Sequence, residues 1–275
     1  MSKPPLSSTR MLLIWTRNKL KEYGIKPKEK YSQSFVVSPF LVLDIVGKVR
    51  ELACRNVIEV GSGLGTITYY LSSYSRVLAI EIDPLLAVAT RNTVENKNSC
   101  IVVNGDALEI DWCTECIVSN TPYHISSDLI IKIARTNAVK KAVLVLQKEV
   151  AERLTAKPGT NSYGRLTIIT KILFNVETVR TYPPSCFYPQ PKVYSRLVVL
   201  ERKKNYDKHT EILEEITRLL FSERRKKAIR VLERKLGVKR DEARRLGISD
   251  EARVYELEPR VLLEIARLVM ERKYS

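Results

Sequence analysis

The feature that most constrains the fold of this chain is a series of short β-branched segments that alternate with segments of helical spacing. The β-branched segments are NVIEV (56–60), RVLAIEI (76–82), CIVVNGD (100–106), CIVSN (116–120) and KAVLVLQ (141–147). Each is short and apolar enough to be a buried strand, and helices are predicted between them. Strands and helices in alternation form a parallel sheet covered on both faces, so the sequence predicts an α/β domain.

Two longer β-rich stretches, 166–182 and 192–202, follow this region and are separated by a proline-rich link. They are predicted to form an antiparallel pair that closes one edge of the sheet. From about Tyr206 the apolar residues take helical spacing, which predicts a small all-α domain. The predicted organisation is a basic N-terminal extension over 1–30, an α/β domain over 31–205 and a helical domain over 206–275.

The chain is strongly basic, with 47 Lys and Arg against 31 Asp and Glu and a formal net charge of +16. Such a charge attracts polyanions and favours a nucleic-acid partner, although a solubility adaptation would give the same composition. The run Arg224-Arg225-Lys226-Lys227 follows Ser222-Glu223, which is a predicted helix start. Cations in a first turn oppose the helix dipole, and a phosphate partner would explain them, although a solvated face is the simpler explanation for any single one. Arg165 lies beside a loop expected to be flexible, KPGTNSYG (157–164), and is predicted to face either RNA phosphate or solvent.

Several other classes of protein are excluded by the sequence. No apolar run reaches the roughly 18 residues of a membrane span. The run Met11 to Trp15 is too short for a signal peptide and is followed by basic residues, so a cytoplasmic location is expected. The five cysteines are not expected to form disulfides in such a chain. Cys113 and Cys116 form a lone pair without further ligands nearby in sequence, so no metal site is predicted.

A glycine-rich turn, Glu59 to Gly65, stands between the first strand and a helix. Gly61 and Gly63 allow the backbone to approach a ligand closely, but their spacing does not match the dinucleotide fingerprint. Glu81, at the end of the second strand, is suited to the two hydroxyls of a ribose. Asp106, after the third strand, is suited to an adenine amine. Polar groups at successive strand ends lie on one edge of the sheet, and they predict a nucleoside-bearing cofactor there.

The tetrapeptide Asn120-Thr121-Pro122-Tyr123 follows the fourth strand. Adenine N6 is a poor nucleophile because its lone pair is delocalised into the ring. The Asn120 side-chain oxygen and the Thr121 carbonyl could accept its hydrogens and localise that pair, while Pro122 stiffens the turn. The face of Tyr123, rather than its hydroxyl, is predicted to stack on a flipped base. An isolated NTPY would be an ordinary turn, but its position on the cofactor edge favours the catalytic interpretation.

These motifs together resemble the ribosomal RNA adenine N6,N6-dimethyltransferase family of the KsgA type, and an archaeal member in particular. The resemblance runs from about Tyr23 to the C-terminus. The matching segments are Gln33-Ser34-Phe35-Val36, Glu59 to Gly65, Glu81, Gly105 to Ala107, Asn120 to Tyr123, LQKEVAERL (146–154), SYGRL (162–166) and Phe187 to Val193. Ser34 and Thr121 depart from the family pattern, which has Asn and Leu there.

The resemblance implies a set of site residues. It implies S-adenosylmethionine as cofactor, held by Gln33, Ser34, Val36, Gly61, Gly63, Glu81, Asp106 and Asn120. It implies that Phe187 joins Asn120, Thr121, Pro122 and Tyr123 at the catalytic centre, as a second aromatic wall for the target adenine. The candidate RNA-binding residues are Arg165, Arg224, Arg225, Lys226 and Lys227. No metal is expected.

The resemblance also implies a fold and an activity. The fold would be a Rossmann-like class I methyltransferase, with a mostly parallel sheet and an antiparallel edge, followed by a small all-α RNA-binding domain. The activity would be dimethylation of N6 on two adjacent adenines of small-subunit ribosomal RNA, in ribosome biogenesis. The alternatives are a large-subunit RNA adenine methylase and a non-catalytic assembly factor. The protein is expected to be a monomer that binds small-subunit RNA or its precursor particle and no membrane.

Overall fold

The computed structural model describes residues 3–28 and 32–274. The chain forms two compact units, and the chain passes between them more than once. The first unit contains residues 1–151 and 177–201, and the second contains residues 152–176 and 202–275. Among the described residues, no helix is both long enough and apolar enough to cross a membrane.

The strands form one large sheet and one small ribbon. The strands are β1 (Phe35–Val36), β2 (Asn56–Val60), β3 (Arg76–Glu81), β4 (Cys100–Asn104), β5 (Cys116–Asn120), β6 (Lys141–Gln147), β7 (Phe174–Tyr182), β8 (Phe187–Tyr188) and β9 (Ser195–Arg202). The large sheet has the order β4-β3-β2-β5-β6-β9-β7, and β1 pairs with β8 in the ribbon. Strands β2 to β6 pair in parallel with one another, and β9 is antiparallel to β6. The predicted parallel sheet with an antiparallel edge is confirmed.

Three helices of the first unit start at a residue whose side chain caps them. They are α1 (Thr9–Glu22), α2 (Pro39–Glu51), α3 (Thr66–Leu71), α4 (Pro84–Thr93), α5 (Ser126–Arg135) and α6 (Lys148–Thr155), which continues into the second unit. Ser38 caps α2 and Asp83 caps α4, each accepting a backbone N–H, and a proline follows each cap. Strands β5 and β6 are almost fully buried, as expected of central parallel strands.

The second unit is helical. Its helices are α7 (Arg165–Leu173), α8 (Lys208–Phe221), α9 (Ala228–Leu236), α10 (Arg240–Arg245) and α11 (Pro259–Tyr274). Helices α8 and α11 pack against each other, and α7 packs against both. Leu213, Leu220, Leu262 and Ile265 are fully buried in this unit. The predicted all-α C-terminal region is confirmed, and the second unit also includes an earlier helix that the sequence interpretation assigned to a strand.

That helix is α7, and its assignment to the β-rich stretch 166–182 was wrong for its first half. Residues 165–173 are helical, and the strand begins only at Phe174. The segment is rich in Ile and Thr, which favour strands, but Ile169, Thr170 and Leu173 share one buried helical face. The segment 152–176 packs with the helical unit, so the compact units differ from the predicted boundary at 205–206.

The N-terminal residues also differ from the predicted separate extension over 1–30. Helix α1 buries Leu12, Trp15 and Leu20 in the same core as residues of α2 and the sheet. Its N-cap is Ser8, whose hydroxyl accepts the Met11 N–H. Four of the eight basic residues of this segment, Arg10, Arg17, Lys19 and Lys21, are therefore carried by a helix that is part of the first unit.

The expectation that the chain has no disulfide was also wrong. Cys54, just before β2, is bonded to Cys116, the first residue of β5. Strands β2 and β5 are neighbours, and Val57 pairs with Cys116, so the fold itself brings the two sulfurs together. Both cysteines are buried, while Cys113 is exposed and free. The Cys113-x-x-Cys116 pair is thus divided between two environments, and no cluster of metal-ligating side chains occurs among the described residues.

Candidate active site

The glycine-rich turn connects β2 to α3 at the carboxyl edge of the sheet. Gly61, Gly63 and Gly65 all have positive φ, which only glycine adopts at low cost. A Cβ on Gly63 would lie 3.2 Å from the Phe35 ring, and a Cβ on Gly61 would lie 3.5 Å from Pro122. The turn therefore packs closely against both the N-terminal segment and the NTPY turn.

Glu81 ends β3 beside this turn and is almost fully buried. Its Oε2 accepts the Gly63 N–H at 2.8 Å, and its Oε1 accepts the Asp83 N–H at 3.0 Å. Burial raises the pKa of Glu81, and these backbone donors partly offset the rise. A carboxylate has about four acceptor positions, so Glu81 retains capacity for ligand hydroxyls. The predicted cofactor residue is thus also a support of the glycine turn.

Asp106 follows β4 on the same edge. Its Oδ1 accepts the Leu108 N–H at 2.8 Å, and the adjacent Gly105 N–H bonds the Glu81 carbonyl at 3.0 Å. Ile82 and Ala107, which follow the two acids, line the same cavity. Two acceptors beside two apolar side chains suit a flat base carrying an amine next to a ribose.

The N-terminal segment closes another side of the cavity. The Gln33 side-chain oxygen accepts the Lys28 N–H at 2.8 Å, while its nitrogen lies 3.5 Å from Asp83 Oδ2. The Ser34 hydroxyl donates to the Pro189 carbonyl at 2.8 Å. Val36 pairs with Phe187 in the β1·β8 ribbon, which places the buried Phe187 ring at the cavity. Ser34 thus joins the two segments that carry these walls.

Asn120 ends β5, and its side-chain orientation is fixed by the N-terminal segment. Its Nδ2 donates to the Ser34 carbonyl at 2.8 Å. A carbonyl only accepts, so the amide nitrogen must face Ser34 and the Oδ1 atom must point elsewhere. Because the partner is a backbone carbonyl, this contact does not depend on which side chain stands at position 34.

Tyr123 begins a short 3₁₀ turn after Pro122 and is half-buried. Its hydroxyl lies 2.8 Å from the hydroxyl of Ser195, the first residue of β9. Burial raises the pKa of Tyr123, so the side chain is a neutral phenol at neutral pH. Thr121 is buried, and its Oγ1 has no hydrogen-bond partner among the described residues.

One cavity brings together every residue predicted for the cofactor and the catalytic centre. Its lining includes Gln33, Ser34, Val36, Gly61, Gly63, Glu81, Asp106, Asn120, Thr121, Pro122, Tyr123 and Phe187. Sequence reasoning did not single out Ile82 or Ser195. Ile82 had the weak signal of following Glu81 directly. Ser195 had none, because its contact spans 72 residues of sequence.

Glu59, behind the glycine turn, is a buried acid that does not line the cavity. Its Oε2 has no hydrogen-bond partner in the described part of the chain. Burial, with a smaller contribution from Glu81, raises the pKa of Glu59 to about 8. Glu59 is therefore mostly protonated at neutral pH.

The candidate RNA-binding residues all belong to the second unit. The run Arg224 to Lys227 does not begin a helix as predicted, since α9 starts at Ala228. The run forms part of the turn after α8, and its backbone is hydrogen-bonded to residues 252–255. The Lys226 carbonyl accepts the Val254 N–H, and the Arg224 carbonyl accepts the Tyr255 N–H. Residues 252–255 therefore hold this turn, and its four cations precede α9 instead of forming the first turn of a helix.

The four basic side chains of this turn differ in whether they already bind other residues of the chain. Arg224 donates to the carbonyls of Thr160 and Asn161 at 3.1 and 3.2 Å, and Lys227 pairs with Glu251 at 2.8 Å. Arg225 and Lys226 are exposed and have no ion pair with any described residue. Arg165, at the first position of α7, is exposed in the same way.

The loop 157–164 is not the flexible segment that its composition predicted. Arg224 holds two of its carbonyls, and the Gly159 N–H bonds the Tyr255 carbonyl at 2.8 Å. Tyr163 is fully buried against Phe221, and its hydroxyl donates to the Leu257 carbonyl at 2.7 Å. Arg165 and the turn 222–227 are thus attached to one fixed framework.

Comparison with known proteins identifies relatives of the whole chain. A family model described as "Ribosomal RNA adenine dimethylase" matches residues 24–271. The "Probable ribosomal RNA small subunit methyltransferase A" of Pyrobaculum islandicum is 41% identical over 212 residues, which are 76% of this chain and 83% of the relative. The protein of the same description from Pyrococcus abyssi is 35% identical over 274 residues, covering 92% and 96%.

Solved structures agree with these relatives. A dimethyladenosine transferase from Plasmodium falciparum superposes with a TM-score of 0.75 at 26% identity, covering 87% of this chain and 98% of that one. The 23S rRNA methyltransferase ErmE superposes with a TM-score of 0.67 at 26% identity, covering 86% and 99%. The predicted Rossmann-like methyltransferase fold is confirmed.

Proposed function

Because this chain belongs to the ribosomal RNA adenine dimethylase family, we propose that it dimethylates N6 of adenines in small-subunit ribosomal RNA, using S-adenosylmethionine. The two archaeal relatives described above bear the small-subunit description, which supports that RNA over the large-subunit one. Two adjacent adenines are the proposed targets, and a precursor ribosomal particle in the cytoplasm is the proposed partner.

The observation that carries the proposal is the orientation of Asn120. With its Nδ2 donated to the Ser34 carbonyl, its Oδ1 is left to accept a hydrogen from an amine in the cavity. Accepting that hydrogen draws the adenine N6 nitrogen toward a tetrahedral shape and localises its lone pair. The Thr121 carbonyl is the proposed second acceptor, and Pro122 restricts the turn that carries it.

The residues present fit the proposed cofactor. Glu81 retains acceptor positions for the ribose hydroxyls, and Asp106 lies at the next strand end beside Ile82. A Cβ on Gly63 would lie 3.2 Å from the Phe35 ring, so glycine at this position keeps the turn close to that wall of the proposed cofactor site. When bound, S-adenosylmethionine supplies a methyl carbon activated by a positively charged sulfur, so the nucleophile needs no metal.

The aromatic side chains are the proposed holders of the flipped adenine. Tyr123 and Phe187 both line the cavity. The Tyr123 hydroxyl is hydrogen-bonded to Ser195, and Phe187 is held by the pairing of β8 with β1. Stacking on such rings offsets the cost of taking the base out of its stack. After methyl transfer the N6 ammonium loses its proton to solvent, and no strong base is required.

Contacts to RNA phosphates are proposed for the second unit. Arg165, Arg225 and Lys226 are exposed cations without ion pairs among the described residues, and they are the principal candidates. Arg224 and Lys227 are proposed to contribute mainly by holding the turn, since their side chains already bind Thr160, Asn161 and Glu251.

The test is mass spectrometry of ribosomal RNA after incubation with the protein and S-adenosylmethionine. Small-subunit and large-subunit RNA that lack their own N6-dimethyladenines are compared as substrates. We expect N6-dimethyladenine in the small-subunit RNA alone. Modification confined to the large-subunit RNA would favour the activity named for ErmE. No modification of either RNA would favour a non-catalytic assembly factor.

A further inference from the structure

The Tyr123 ring is held at both of its ends. Its Cβ end belongs to the turn that follows β5, and its hydroxyl lies 2.8 Å from the Ser195 hydroxyl on β9. Ser195 is fully buried, and its register is fixed because it pairs with Gln147 across the β6·β9 ladder. The anchor for the hydroxyl is therefore a rigid part of the sheet.

The second anchor matters because stacking depends on the plane of the ring. A tyrosine attached only through Cβ changes its plane by rotation about two side-chain bonds. A hydrogen bond at the far end of the ring opposes both rotations, and this lowers the entropy that must be lost when the target adenine of an already bound RNA stacks on the ring. Within the described part of the chain, the Tyr123 hydroxyl is the hydrogen-bond partner of the Ser195 side chain.

We propose that Ser195 is a positioning residue that fixes the ring plane of Tyr123 against the target adenine. This inference rests on the proposed function, since it assumes that the adenine stacks on Tyr123. It also revises the expectation that only the ring face of Tyr123 matters, because Tyr123→Phe removes the same hydrogen bond as Ser195→Ala.

The test is a double-mutant cycle of Ser195→Ala, Tyr123→Phe and the double variant. Single-turnover methylation is measured with small-subunit RNA and S-adenosylmethionine both saturating, and RNA affinity is measured separately by filter binding. We expect each single variant to lower the rate about two- to tenfold, the range of one hydrogen bond, with unchanged RNA affinity. The double variant should be no slower than the slower single variant, because both changes break one contact.

Measuring the melting temperature beside the methylation rate distinguishes a positioning role of Ser195 from a purely structural one. Ser75→Ala is the matched control, since Ser75 is also a buried serine, and its hydroxyl donates to the Cys54 carbonyl at the opposite edge of the sheet. It should lower the melting temperature without changing the saturated rate. If Ser195→Ala behaves like Ser75→Ala, the positioning role is contradicted. Should Ser195→Ala fail to fold, Tyr123→Phe still decides, and a wild-type rate in that variant overturns the proposal.

Failure of this inference is distinct from failure of the proposed function. An active wild-type protein with fully multiplicative rate losses in the double variant would overturn the role of Ser195 alone. A wild-type protein that methylates no adenine would overturn the proposed function and this inference with it.

Discussion

Glu81 combines a proposed ligand role with a support role, and a test must separate them. Glu81→Gln keeps an oxygen that can accept the Gly63 N–H but removes the charge. Each charge-assisted bond to a ribose hydroxyl is worth about 1.5–3 kcal/mol, so we expect S-adenosylmethionine affinity to fall at least about tenfold. Calorimetry measures the change, with the exposed Glu109→Gln as control. Unchanged affinity in a folded variant would remove Glu81 from the cofactor site.

The buried Glu59 makes a prediction about pH and stability. Its folded pKa of about 8 lies above the ordinary value of 4.5, so the folded protein holds a proton that the unfolded chain releases. Its contribution to stability is complete below about pH 4.5 and is lost as the pH rises toward about 8, by roughly 1 kcal/mol for each pH unit. Glu59→Gln removes this loss.

We therefore expect the free energy of unfolding of Glu59→Gln, relative to wild type, to increase between about pH 5 and about pH 8. Urea unfolding at both pH values measures it. Glu81 also has a raised pKa, but it is present in both proteins, and its coupling to Glu59 is the smaller contribution. A difference that does not change with pH would show that Glu59 is ionised in the folded protein.

At the scale of single residues, the sequence predicted the chemistry of the site but not the supports behind it. Glu81, Asp106 and Asn120 could be selected because their chemistry is specific and each follows a recognisable strand. Ser195 could not, since its partner is defined only by the register of β9. The orientation of Asn120 was equally hidden, because it depends on a backbone carbonyl of Ser34.

At the scale of elements, the turn 222–227 carries a prediction about RNA affinity. Arg225→Ala with Lys226→Ala should weaken RNA binding and reduce the slope of log affinity against log salt by about 0.7–0.9 for each phosphate that is no longer neutralised. The matched control is Arg244→Ala with Arg267→Ala, which removes the same charge from the same unit. These two arginines are already paired with Asp250 and Glu264, so their removal should change the slope less. Salt titrations of both pairs check the prediction. Equal slopes for the two pairs would mean that Arg225 and Lys226 face solvent in the complex.

Strands were predicted correctly where an apolar run was bounded by turn residues or helix caps. Strands β2, β5 and β6 match their predicted bounds, because apolar β-branched runs end at turn residues or caps there. Helix α7 was mistaken for a strand because Ile and Thr have strand propensity, and only its packing against α8 and α11 favours the helix. The turn 222–227 was mistaken for a helix start because its partners, residues 252–255, are distant in sequence.

At the scale of the whole molecule, neither compact unit is a single continuous segment of the chain. Composition changes near Tyr206, but the segment 152–176 already packs with the helical unit. This could not be predicted, because a local sequence pattern does not say which unit a helix packs against. The Cys54–Cys116 disulfide was missed for a similar reason, since it depends on the adjacency of β2 and β5. The parallel sheet was predictable, and it collects residues between Gln33 and Phe187 around one cavity.

The central claim is that Asn120 activates adenine N6, and single-turnover methylation by Asn120→Ala tests it most directly. The contact with N6 strengthens as the nitrogen becomes tetrahedral, so its removal should affect the chemical step more than RNA binding. With RNA and S-adenosylmethionine both saturating, we predict a rate lower by about 100-fold or more, by analogy with the removal of one oxyanion-hole donor. Asn92→Ala, which removes a side-chain bond to the Tyr23 hydroxyl away from the cavity, is the control and should keep its rate. A near-normal rate in Asn120→Ala would contradict the account, even if the protein proved to methylate RNA.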